Sequence, residues 1–314
     1  MGQMSPPQIV LDSLRPRVPR PHRAAPALLL VANVNASGVS CRREALERAH
    51  RLLRVYAGRV ELRATESVEE LASLFPADPT RRVVLLGGDG TLHAAANLPG
   101  PKPELALLPA GRANNVARSL GIPADLRAAA RVAARGRVRP LDLITAAGAG
   151  RRYFAVEGVS VGFHAVARAG YRATNSADLL AAARAGLGAL GTFHPIPVAV
   201  ESDGAARVMT VNQLFVANLP LYGFGLRVAP SADPTDGLLD LVAIEGGGRA
   251  SLVTMLTRLR RGTHVDRPGA STWRARRIRI ATGGRSPVIA DSTNLGSGPV
   301  DLAVEPAALN VVVP

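Results

Sequence analysis

The chain alternates short apolar runs with stretches of mixed polarity, and in its first half the alternation is regular. Ala27 to Val34 is almost wholly apolar and reads as a buried strand; Asn35, Ala36, Ser37 and Gly38 follow as a polar turn. Arg42 to Tyr56 places Leu46, Leu52, Leu53 and Tyr56 on or near one helical face. Val60 to Ala64 reads as a strand and Val68 to Phe75 as a helix. Val83 to Leu86 is apolar without alternation, the pattern of a strand covered on both faces, and Leu105 to Leu108 repeats it. Strands and helices taking turns in this order predict a parallel α/β sheet.

The pattern changes after Thr145. Ala146 to Gly150 reads as a hairpin tip of small residues. Strands are expected at Tyr153–Val156, Val198–Val200, Val208–Val211, Leu214–Asn218, Leu239–Ile244, Arg276–Ile280, Val288–Ala290, Val300–Val304 and Leu309–Val313. Helices are expected at about 163–173 and 178–190, and at Leu252–Leu259. This half reads as mainly antiparallel β. Residues 1–25, with repeated Pro and Arg, read as a disordered leader. The expected division is therefore an α/β unit over 26–145 and a β-rich unit over 146–305.

The chemistry gathers at two turns. Gly87, Gly88, Asp89, Gly90 and Thr91 directly follow the Val83 strand and precede an Ala-rich helix. Glycines there allow a turn that side chains would block, and the helix behind it offers free N–H groups and a positive dipole end. That is a phosphate-binding design, with Asp89 as a carboxylate at its mouth, suited to Mg2+ or its water. The second turn, Pro109 to Asn115, follows the Leu105 strand and carries Gly111, Arg112, Asn114 and Asn115. Two such loops at one sheet edge can grip one polyphosphate from two sides. For the asparagines the plainer reading is a helix cap. Asp142 is a short acid near the end of the first unit. Asp236, in the acidic stretch 232–241, reads as a turn residue, with a structural cation as the alternative.

Composition narrows the partners. The 314 residues carry a net charge of +14, and lysine occurs only at Lys102, so the excess is arginine. Codon bias explains such an excess most simply; an anionic partner, nucleotide or membrane surface, explains it functionally. Arg258, Arg260 and Arg261 at a helix end suit anionic headgroups. Zinc spacing, an RNA-binding aromatic ladder and a helix-turn-helix pattern are all missing, so nucleic acid is not expected. The single cysteine, Cys41, suits a reducing compartment. Without a membrane-length apolar run or an apolar leader, the expected location is cytoplasmic, peripheral to a membrane.

With both loops in view, the chain resembles the diacylglycerol-kinase-like lipid kinases, in particular their soluble bacterial branch. GGDGT at 87–91, PAGRANNVARSLGIP at 109–123, RPLDL at 139–143, SVGFHA at 160–165, DPTDGLLDL at 233–241 and RRGTH at 260–264 carry the likeness in order and spacing. GGDGT alone is shared with NAD kinases; the later segments separate the two. The resemblance implies an α/β ATP-binding domain, a β-rich lipid-substrate domain and a C-terminal strand, 306–314, returning to the first domain. It implies transfer of the ATP γ-phosphate to a lipid hydroxyl, of diacylglycerol or a related lipid, with Mg2+. The alternatives are an NAD kinase, or a nucleotide- or lipid-binding member without turnover. Asn35, Gly87, Gly88, Asp89, Gly90, Thr91, Gly111, Arg112, Asn114 and Asn115 are the expected nucleotide-binding set, with Asp89 and Asp142 at the metal. A lipid substrate and an anionic membrane surface are the expected partners, and a homodimer is compatible with the sequence.

Five positions depart from the family pattern: Ala94, Arg112, Asn115, His164 and Thr293. Thr293 stands where the family has the Glu that looks like the base for the lipid hydroxyl, and a threonine cannot act so at neutral pH. Asp291, two residues earlier, is the expected substitute, with a turn cap as its plainer role.

Overall fold

A computed structural model describes residues 28–33, 43–65, 67–75, 81–148, 150–173, 188, 191, 193–246 and 249–314. The expected leader and Asn35 lie outside the described residues, as does the helix expected over 178–190 apart from Gly188.

In the first half the elements run β1 (Leu28–Asn33), α1 (Arg43–Ala57), β2 (Val60–Thr65), α2 (Val68–Leu74), β3 (Val83–Gly87), α3 (Asp89–Ala96), β4 (Leu105–Pro109), α4 (Asn115–Ser119) and α5 (Leu126–Arg135). β2, β1, β3 and β4 lie side by side in that order and all pair in parallel. The order of connection reverses between β1 and β3, so a crevice opens at the carboxyl ends of these strands. β3 has every residue buried, as its unbroken apolar run requires. One face is covered by α1 and α5, through Ala49, Leu53, Ala129 and Ala133; the other is covered by α2 and α3, through Leu71, Leu92 and Ala95.

The second half runs β5 (Arg137–Gly148), β6 (Arg151–Ala155), β7 (Gly158–Gly162), α6 (Phe163–Ala173), β8 (Ile196–Ser202), β9 (Ala205–Ala217), β10 (Leu221–Tyr222), β11 (Leu226–Arg227), β12 (Leu239–Glu245), α7 (Arg249–Arg261) and β13 (Ala270–Ala275). It closes with β14 (Arg277–Ala281), β15 (Val288–Ala290), β16 (Thr293–Asn294) and β17 (Val300–Val313). Its pairings are antiparallel, over a core that includes Val159, Val198, Leu214, Leu241 and Ile280. β17 joins the halves: Val300–Ala303 pairs with β14, and Val311 pairs with Leu105 of β4.

The fold class expected from the sequence is the one observed, with local differences. α5 is a helix the apolar pattern did not yield, although Asp125 caps it by accepting from Ala128 N at 2.9 Å. β9 is one strand where two were expected. Asn212 and Gln213 looked like a break, but both are buried within the strand, and Gln213 Oε1 accepts the His164 N–H at 2.8 Å. β17 also replaces two expected strands; a register shift between Glu305 and Leu309 absorbs Pro306 and Ala307.

Candidate active site

The two glycine loops meet backbone to backbone. A Cβ on Gly111 would lie 2.5 Å from Gly88 Cα, and one on Gly88 would lie 2.9 Å from Gly111 Cα. No side chain larger than hydrogen fits either position. Ala110 N donates to Gly87 O at 2.8 Å, so the loops are also joined beneath. α3 begins at Asp89, which puts Asp89, Gly90 and Thr91 in the first turn of the helix rather than in a loop before it. Thr91 N donates to Gly88 O at 3.1 Å, and Asp89 in the first turn complements the helix dipole.

Each expected nucleotide residue except Asn35 has a place among the described residues. Gly88, Asp89, Gly90, Gly111, Arg112 and Asn115 line one cleft of about 200 Å³. Asp89 Oδ1 accepts the Val116 N–H at 3.0 Å, tying the first loop to α4. Thr91 is buried, its Oγ1 filling the place of a Gly87 side chain. Asn114 holds its own loop: Oδ1 accepts from Gly111 N at 2.9 Å, Nδ2 donates to Gly111 O at 2.8 Å, and φ is 48°. Asn115 is buried, and its Nδ2 donates to Glu157 Oε2 at 2.8 Å and to Gly223 O at 2.5 Å.

The three other acids singled out from the sequence are committed to the backbone. Asp142 is buried; Oδ2 accepts from Gly237 N and Oδ1 from Ala307 N, both at 2.8 Å. It pins the turn at Gly237 and the register shift of β17, and it is not among the residues that line the cleft with Asp89. Asp236 accepts from Leu238 N at 3.0 Å, and its other oxygen lies 3.5 Å from Arg274 Nη1. The same Arg274 bonds Asp240 Oδ1 through Nε at 3.1 Å, so Asp236 sits in a turn beside a guanidinium shared by two acids. Asp291 does line the cleft, but its carboxylate takes three backbone N–H groups. Val156 N donates to Oδ2 at 2.8 Å; Glu157 N and Gly158 N donate to Oδ1 at 2.9 and 3.1 Å. With φ of 47°, Asp291 clamps the turn between β6 and β7.

That turn presents a residue the sequence reading missed. Glu157, buried and lining the cleft, sets Oε1 3.1 Å from His93 Nε2. His93 Nε2 is also 3.5 Å from Asp291 Oδ2. Burial pushes the Glu157 carboxyl up to about 7, against the pull of His93. Burial works against charging His93, but the carboxylates of Asp291 and Glu157 prevail and hold it up at about 9. The cleft thus contains a cationic imidazole paired with a reluctant carboxylate. A signal for Glu157 exists in the sequence: it is the only charged residue between Arg152 and His164.

Beneath the pair, Tyr222 donates its O–H to the carbonyls of Ile289 and Asp291, both at 3.2 Å, and its ring packs against His164. His164, one of the departures, bonds Ser160 Oγ at 3.0 Å through Nδ1. Burial drives it down to about 3, so it is a neutral packing group.

The diacylglycerol kinase catalytic domain matches residues 27–146, and the YegS C-terminal NAD kinase beta sandwich-like domain matches residues 157–313. A diacylglycerol kinase of Mycobacterium tuberculosis is 29% identical over 253 residues, 75% of this chain and 77% of that protein. One of Bacillus subtilis is 26% identical over 210 residues, 63% of this chain and 66% of the other. A crystal structure of a diacylglycerol kinase from Bacillus anthracis aligns with a TM-score of 0.69 over 92% of this chain and 97% of that one; at 19% identity the likeness is one of fold. The two matched domains meet at the cleft between the glycine loops and the Glu157 turn, and on them the chain belongs to the diacylglycerol-kinase-like lipid kinases.

Proposed function

We propose that the chain transfers the γ-phosphate of ATP to the hydroxyl of a lipid, diacylglycerol or a close relative, with 26–145 handling the nucleotide and 146–305 the lipid. The observation that carries this reading is the side-chain-free contact of Gly88 with Gly111 at the head of α3. That contact sets both loops and the start of α3 at one cleft, where N–H groups can meet phosphate oxygens.

The residues fit Mg2+ as well. Asp89 keeps Oδ2 beside the cradle while Oδ1 holds Val116 N, and Mg2+ commonly takes one or two carboxylates together with substrate phosphates. When bound, the ion neutralises charge on the transferred phosphoryl group. Arg112, exposed at the rim of the cleft, is placed to add a cation to that task.

Glu157 is the proposed base. Its raised carboxyl accepts the hydroxyl proton near neutral pH, and Asn115 and His93 hold it in position. His93 keeps its own proton and shields Glu157 from Asp291. Asp291, committed to three N–H groups, positions the turn. Thr293 is then dispensable, because the carboxylate comes from a different element.

Residence at an anionic membrane surface belongs to the same proposal; among the described residues no helix is long and apolar enough to cross a membrane. The test is phosphorylation of a lipid panel, and of NAD, from radiolabelled ATP with and without Mg2+. Label in a lipid only when Mg2+ is present is expected. Label in NAD would give the NAD-kinase alternative, and ATP bound without turnover would give the binding-protein alternative.

A further inference from the structure

β10 and β11 pair through Leu221–Arg227 and Tyr222–Leu226, so Gly223, Phe224 and Gly225 form the tip of a hairpin. Gly223 has φ of 63° and Gly225 of 77°, the left-handed region that favours glycine. At the first a Cβ would meet the ring of His164 at 2.8 Å, and at the second it would lie 2.5 Å from Arg118 Nη1, so that guanidinium rests on the glycine. The tip is fixed from below, by the Asn115 bond to Gly223 O and by buried Tyr222. Phe224 therefore sits at the tip of a fixed turn, at the mouth of the cleft. It is 53% exposed, while every other phenylalanine among the described residues is buried or half-buried.

Its surroundings are cationic. Arg112 and Arg168 line the cleft together with Phe224, and Arg118 lies against Gly225. Arg227, at the foot of the hairpin, packs where Gly262 follows α7, so Arg260 and Arg261 continue the same basic margin. An apolar ring at the tip of a fixed turn within a basic margin matches a membrane interface, with apolar insertion at the centre and anionic headgroups around it.

We propose that Phe224 is a wedge that enters the acyl region of an anionic leaflet while the arginines beside the cleft, Arg118, Arg227, Arg260 and Arg261, hold headgroups, which brings the acceptor hydroxyl to the mouth of the cleft. The purpose of the wedge rests on the lipid-kinase reading; its test does not, because binding is measured without ATP.

The full-length chain is sedimented with phosphatidylcholine vesicles containing or lacking phosphatidylglycerol. Wild type is expected to sediment with the anionic vesicles and to be released by salt. Phe224→Ala should lower partitioning about tenfold. Phe224→Trp, made with Trp273→Phe to remove the native indole, should retain binding, and its emission should shift to the blue and be quenched by brominated acyl chains. Equal partitioning of wild type and Phe224→Ala would overturn the wedge, and so would an introduced indole whose emission does not move. A loss of ATP affinity in Phe224→Ala with partitioning unchanged would assign the ring to the nucleotide and also overturn it. Loss of vesicle binding in Phe224→Ala, in a protein that phosphorylates no lipid, would uphold the wedge and remove the kinase reading.

Discussion

The two walls of the cleft are built on different principles. The glycine-loop wall is local: Gly88, Asp89, Gly111, Asn114 and Val116 lie within thirty positions of one another, and their contacts are backbone approaches and short side-chain-to-backbone bonds. The opposite wall gathers His93, Glu157 and Asp291 from three distant segments, and its contacts are between charged side chains or from charge to backbone. Steric room decides the first wall, so a single methyl group tests it. Proton affinity decides the second, so isosteric changes and pH test it. The second wall also assigns different work to two neighbouring acids: Asp291 meets three N–H groups and holds shape, while Glu157 meets two side chains and stays chemically available.

The largest expected effect separates those two acids. Glu157→Gln should lower kcat by about 10²–10⁴-fold, the usual contribution of a positioned base, with ATP affinity retained by calorimetry. Asp291→Asn should instead destabilise the fold by about 1.5–3 kcal/mol, because an amide turns N–H₂ toward backbone donors that met a charged oxygen. Chemical denaturation measures the loss. If Asp291→Asn lost rate at full stability while Glu157→Gln turned over normally, the two roles would be exchanged.

Gly111→Ala probes the other wall. The added methyl meets Gly88 backbone rather than a movable side chain, so overpacking should cost about 1–3 kcal/mol. The ATP Kd should rise about tenfold or more, with lipid-side properties unchanged.

The pH dependence is smaller and has a definite sign. Both Glu157 and His93 hold their protons more tightly folded than their ordinary values of 4.5 and 6.5. Stability from each is complete below those values and is lost as pH rises, through about 7 for Glu157 and about 9 for His93. Melting temperature should fall steadily over that range, and Glu157→Gln should flatten its lower part. Turnover should run the other way at first: kcat/KM rises through about 7 as Glu157 ionises and declines above about 9 as His93 loses its charge.

Asn114→Ala should have the smallest effect. The side chain bonds only its own loop, so about 1 kcal/mol of local stability and a few-fold change in ATP affinity are expected by calorimetry. Full affinity in that variant would mean the loop keeps its shape through Gly111 and Gly88 alone.

The sequence by itself determined the order of elements in the first half, the α/β then antiparallel division and the two glycine turns. Each of these is set within a few residues: an unbroken apolar run such as Val83–Leu86 requires a covered strand, and Gly87–Gly88 requires a tight exit from it. α5 was equally local and legible, through Asp125 and a strongly one-sided run that turns Ala129, Ala130, Ala133 and Ala134 to the core with Leu126 and Val132 beside them. β9 was misread because Asn212 and Gln213 look polar in sequence, and only packing shows them satisfied inside the sheet. Which acid is free was not legible. Asp291 and Asp236 lie at turns and Asp142 within β5, but all three are the same residue type, and whether a carboxylate is available depends on which backbone N–H groups the fold brings to it. The tertiary structure alone decided that, by closing three of those carboxylates on N–H groups or a guanidinium and by bringing His93 and Asn115 to Glu157, because proton affinity and hydrogen-bond supply depend on neighbours in space and not on neighbours in the chain.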